Sequence, residues 1–138
     1  MNIKINGLKE LNKAIDKAGR DVQKGFDAEI RRIANEILQS ALARVPSSKA
    51  LIKASAFIEK IQAGYTIGFS ATHAAYQEFG TGPLVEVPVG YEAFAMEFFV
   101  NGEGNTPAQP FLFPAFLARR DKIVDELTQK LDAYIKSF

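Results

Sequence analysis

The chain has 138 residues, 47% of them hydrophobic and 11% aromatic, with no cysteine and a net charge of +1. That is the size of one domain with apolar surface enough for a core. The missing cysteine excludes disulfide scaffolds, thiolate zinc sites and cysteine nucleophiles. The near-neutral total hides a division. Residues 1–60 carry 12 Lys+Arg against 7 Asp+Glu, residues 61–118 carry five glutamates and no cation, and residues 119–138 add five basic and four acidic side chains. Most aromatics lie in the cation-free middle, whereas a nucleic-acid surface interleaves cations with stacking rings. Sequence-specific nucleic-acid binding is therefore not expected. The opening MNIKINGLKEL lacks the apolar run and cleavage site of a signal peptide, and no apolar run approaches the ~18 residues of a membrane span. A soluble, non-secreted chain, compatible with the cytoplasm, is the expectation.

Ile3 and Ile5 alternate with polar residues, as in a short strand. From Leu8 to Ala41 apolar residues recur every three or four positions (Leu11, Ile15, Val22, Phe26, Ile30, Ile33, Ile37), which predicts one long helix, or two joined near Gly19. Pro46 should end it. Residues 47–50 read as a loop, and 56–63 and 65–70 as strands around a turn at Gly64. Residues 72–79 read as a short helix with Ser70 or Thr72 as N-cap and Gly80 just past its end. Residues 85–89 and 94–100 read as a hairpin turning at Gly90–Tyr91, with Pro88 confining its strand to an edge. Residues 101–110 form a polar loop. A last helix starts at Phe113 with Pro114 in its first turn, and Leu117, Val124, Leu127, Leu131, Tyr134 and Ile135 form its apolar stripe. The order predicts an α+β fold: one domain over 1–138, a small antiparallel sheet packed by two long helices, and a projecting hairpin arm over roughly 83–109.

The residues offer little for catalysis. His73, the only histidine, stands five positions before Glu78, off the spacing that shares a helix face. No established hydrolase or nucleotide-binding motif occurs. A small hydrolase using His73 and Glu78 is the enzymatic alternative, and a binding module using exposed aromatics is another. One histidine and scattered glutamates do not supply a metal-ligand set, and no cofactor is expected. Gly80 to Gly82 lack the lysine and helix of a phosphate loop; a helix stop and turn is the better reading. PFLFPAF, 110–116, reads as a core plug, with one or two of its rings open to anchoring a neighbour. The basic face of the first helix, Lys9 to Arg32, is interrupted by Asp16, Asp21, Asp27 and Glu29.

Read together, NGLKELNKAI, the proline after ARV, YTIGFS leading into HAAYQEFGTG, and PAQPFLFPAF before a closing helix carry a resemblance. The chain resembles the tail-completion, or head–tail joining, proteins of long-tailed bacteriophages, the lambdoid "gene product ten" minor tail family. The family blocks fall on Tyr76, Glu78, Phe79, Gly80, Thr81 and Gly82, and on Pro110, Phe111, Pro114 and Ala115. Two departures stand out: PSSKALIK replaces the family's Thr-Gly-x-Leu after the first proline, and His73 takes the place of an aromatic. The resemblance implies a structural protein of the virion neck, in the host cytoplasm during assembly, with no active site. Its partners would be copies of itself in a ring and other neck and tail proteins, with no membrane contact. Heterologous ring contacts need two different patches. The charge division suggests Glu86, Glu92, Glu97 and Phe99 on one side and Arg31 and Arg32 on the other, or acidic walls past which DNA slides. The arm is expected to be mobile before assembly.

Overall fold

The computed structural model describes residues 1–5, 20–62, 64–98, 100 and 102–136. Three strands, β1 (Asn2–Ile5), β2 (Ala56–Ile61) and β3 (Gly64–Phe69), form an antiparallel sheet in the order β1-β3-β2. Ile3 lies opposite Ile67, and Ile58 opposite the same residue on the other side. The central strand is buried along its whole length. Gly64 sits inside β3, so the β2–β3 turn falls earlier than its glycine suggests.

Helix α1 (Arg20–Arg44) continues the predicted stripe, and the chain leaves it at Val45, just before Pro46. The part of the stripe before residue 20 lies outside the described residues. Phe26, Ile30, Ile33, Ala34, Ile37 and Ala41 are all buried. Their spacing places them on the face that meets β2, β3 and the long C-terminal helix α5 (Leu112–Lys136). The fold is α+β, as the order of elements predicts. The Tyr65 hydroxyl donates to Asp27 Oδ2 at 2.7 Å, tying β3 to α1. Burial, and then this bond, push its pKa up to about 12.

The two long helices do not contribute equally. α1 covers the sheet, whereas α5 packs along α1. Phe111, just before α5, meets the Phe69 ring of β3 edge to face, 4.8 Å apart. Ile123 and Leu127 fill the α5 interface, while Val124 and Ile135 of the predicted stripe face outward.

Several short elements differ from expectation. A helix α2 (Ala50–Ala54) follows the Ser47–Ser48 turn. The short helix α3 is Ala74–Phe79, with His73 at the N-cap making no side-chain capping bond, so neither Ser70 nor Thr72 caps it. The predicted hairpin does not exist. Gly82–Leu84 form a 3-10 turn, 85–88 take no regular structure, and Glu92–Met96 form helix α4. The reason is packing. Phe94 of α4 and Phe98, in the turn that continues it, are 5.4 Å apart, and Phe94 reaches Phe79 and Phe113 at 6.2 and 5.7 Å. A helix places positions four apart together, which a strand does not. Ala95 and Val100 are buried, so this segment folds onto the body and does not project.

Candidate functional site

The two sequence blocks that carry the resemblance meet at one buried carboxylate. All residues of α3 except Tyr76 are buried, and Glu78 is 1% exposed. Its Oε2 accepts the backbone N–H groups of Phe111 at 2.7 Å and Leu112 at 2.9 Å, and its Oε1 accepts that of Phe113 at 2.8 Å. These N–H groups open α5. A helix leaves its first four N–H groups without an internal partner. Here one side chain from another element takes three, and the fourth position is Pro114, which has none. The helix N-terminus also carries partial positive charge, which favours a carboxylate there. Burial nevertheless pushes the Glu78 carboxyl above its ordinary range, with the three N–H groups pulling the other way.

The rest of the block is stitched to the same segment. Gln77 Nε2 donates to Gln109 Oε1 at 2.6 Å, and the Gln109 N–H donates to the Gln77 carbonyl at 2.8 Å. The Thr81 N–H donates to the Thr106 carbonyl, and the Thr106 N–H returns to Thr81 Oγ1 at 2.8 Å. Gly82 N–H donates to Val100, and Glu86 N–H to Phe79. Residues 77–82 therefore run against 106–113 as an irregular, two-sided seam.

Gly80 and Gly82 make the seam close. Gly80 has φ 77° and donates to the Tyr76 carbonyl, ending α3 as expected. A Cβ there would lie 2.6 Å from the Leu84 carbonyl oxygen and 2.8 Å from Ala108 N. At Gly82, with φ 55°, a Cβ would lie 2.1 Å from the Gly104 carbonyl oxygen. No side chain fits either place.

Under the seam the rings form one cluster. Phe113 stands 4.7 Å from Tyr91 and 5.5 Å from Phe79, and Phe111 and Phe113 are fully buried. The core-plug reading holds for these two. Phe116 is partly buried, Ala115 is buried, and Pro110 is exposed. Above the seam a groove of about 480 Å³ is lined by Lys49, His73, Tyr76, Gln77, Thr81, Glu103, Gly104 and Thr106. Glu78 gives both oxygens to α5, so it does not orient His73. Among the described residues no group of three or more His, Asp or Glu side chains is placed to hold a metal ion.

The predicted interface residues separate. Glu86, Glu92 and Glu97 are exposed, and Glu92 accepts the Gly90 N–H at 2.9 Å. Phe99 lies outside the described residues. Arg31 is exposed, but Arg32 is engaged within the chain by Glu29 and by Glu36. Glu36 also holds Arg119 of α5, which in turn meets Glu126 at 2.6 Å. Arg32 thus belongs to an internal α1–α5 network and is not a free cation for a neighbour.

The clamp made by Glu78 was not foreseen in the sequence. Its signal is the single acidic residue of a short helix, together with a long helix that opens on Pro-Phe-Leu-Phe-Pro with no Ser, Thr, Asp or Asn to cap it. Comparison of the chain with protein-family models, curated proteins and solved structures finds no match. No helix among the described residues is long and apolar enough to cross a membrane.

Proposed function

We propose that the chain is a structural protein of a tailed-phage or prophage particle that completes the tail and joins it to the head at the neck, acting by ring assembly. The observation that carries this reading is the Glu78 clamp. The first of the two sequence blocks on which the resemblance rests ends at Gly82 and the second begins at Pro110, yet one carboxylate binds the first to the second. Co-occurrence of the blocks thus has a physical cause. Glu78 is committed to architecture, and the segment between the blocks presents exposed glutamates and apolar side chains on a rigid base. Such a surface suits assembly with other proteins.

The test is genetic and visual. Particles made without the gene are viewed by negative stain. Separate heads and tails, or joined particles without infectivity, are expected. Normal, infectious particles would sink the reading.

A further inference from the structure

Charges on this chain are paired inside the molecule in some regions and left unpaired in others. Arg32, Arg119 and Lys60 all have carboxylate partners. Between Glu36 and Glu59, by contrast, the chain has Arg44, Lys49 and Lys53 and no acidic residue. None of these three cations makes an ion pair among the described residues, and amid them the α2 side chain Leu51 is 74% exposed. The opposite arrangement occurs between the 3-10 turn and α4. Val89 is 93% exposed and Leu84 43% exposed, flanked by Glu86, Glu92 and Glu97, with no cation anywhere in 61–118.

We infer that the chain binds a second copy of itself head to tail, the Leu51 patch of one copy seated on the Val89 patch of the next. Each patch has what the other lacks. An apolar centre meets an apolar centre, and an unpaired basic rim meets an unpaired acidic one. Neither patch can pair with its own copy, because like charges would be juxtaposed, so a two-fold dimer through either patch is disfavoured. A contact between two different patches propagates, closing into a ring or extending as a filament. This deepens the assembly reading by naming its contact, and it moves the basic side from Arg32 to the Arg44–Lys53 region.

The contact is tested on the isolated full chain, so its outcome stands apart from where the protein sits in a particle. Natural-abundance and ¹⁵N-labelled chains are mixed at low salt and high concentration and joined by a zero-length carbodiimide, which links a lysine amine to a carboxylate. Mixed-isotope links from Lys49 or Lys53 to Glu86, Glu92 or Glu97 are expected. Lys49→Glu with Lys53→Glu removes the linking amines as well as the charge, so its effect is read as self-association by sedimentation at the same salt and concentration, where it should weaken about tenfold; mixing that variant with a Glu86→Lys/Glu97→Lys chain should restore association and give links between the reversed positions 49 or 53 and 86 or 97. The absence of mixed-isotope links between the patches of the unaltered chain, or self-association indifferent to reversal, would each overturn the contact.

Discussion

At the scale of the residue, Glu78 decides more than any other side chain. Removing it strands three buried N–H groups at the start of α5, each costing on the order of 1–3 kcal/mol. Glu78→Ala is expected to lower stability by about 3 kcal/mol or more in urea unfolding. Glu78→Gln should also be costly, about 2 kcal/mol, because one accepting oxygen becomes an amide donor facing donors. A loss below about 0.5 kcal/mol for both would show that the clamp does not hold α5. The glutamates also differ in titration. Glu78 is raised above its ordinary value of 4.5 by burial, whereas Glu36 and Glu29 are lowered, by hydrogen bonds from Arg119 and Arg32 respectively. Glu29 and Glu36 therefore stabilise the fold above pH 4.5 and lose that contribution as pH falls through their lowered values. Glu78 has the opposite sign: its contribution is full below 4.5 and fades as pH rises through its raised value. Carboxyl-carbon NMR should show Glu78 titrating above both; the reverse order would contradict the burial argument.

At the scale of the element, the seam between 77–82 and 106–113 is the joint that fixes the middle of the chain. Gly80→Ala and Gly82→Ala each force a Cβ into backbone at positive φ and are expected to cost about 2–3 kcal/mol, with Gly82 the worse. Amide exchange should find the Thr81, Gly82, Glu86 and Thr106 N–H groups protected, since each has a backbone or side-chain acceptor. The α1–α5 ion network matters less. Arg119→Ala is expected to cost under about 1 kcal/mol, less again in high salt, because Glu36 is well exposed. The long helices were legible in the sequence because their stripes are long and amphipathic, as at Phe26–Ile30–Ile33–Ile37. The sheet was legible through β2 and β3. The stretch 85–100 was misread because Val85, Val87, Phe94 and Phe98 satisfy strand propensity, and only the ring cluster with Phe79 and Phe113 selects the helical turn. Glu78's role was invisible because its partners are backbone groups 33 to 35 residues away, which no side-chain pattern records.

At the scale of the whole molecule, the cation-free middle is a folded face and not a detached arm. Within it, the stretch 82–106 is pinned at Gly82 and Thr106, its rings are joined to the α5 start, and Glu86, Glu92, Glu97 and Glu103 remain outside while Glu78 is buried. On the proposed reading, a surface held in this way needs little ordering to bind another copy, which lowers the entropic cost of association. It also makes the surface depend on Glu78 at a distance: loss of the clamp should weaken assembly even though Glu78 itself is buried. The central claim, a structural role at the neck, is tested most directly by locating the protein in purified particles of the phage or prophage that encodes it. Density or antibody label at the junction of head and tail, in a ring of copies, is the predicted result. Intact, joined particles that lack the protein altogether would contradict it.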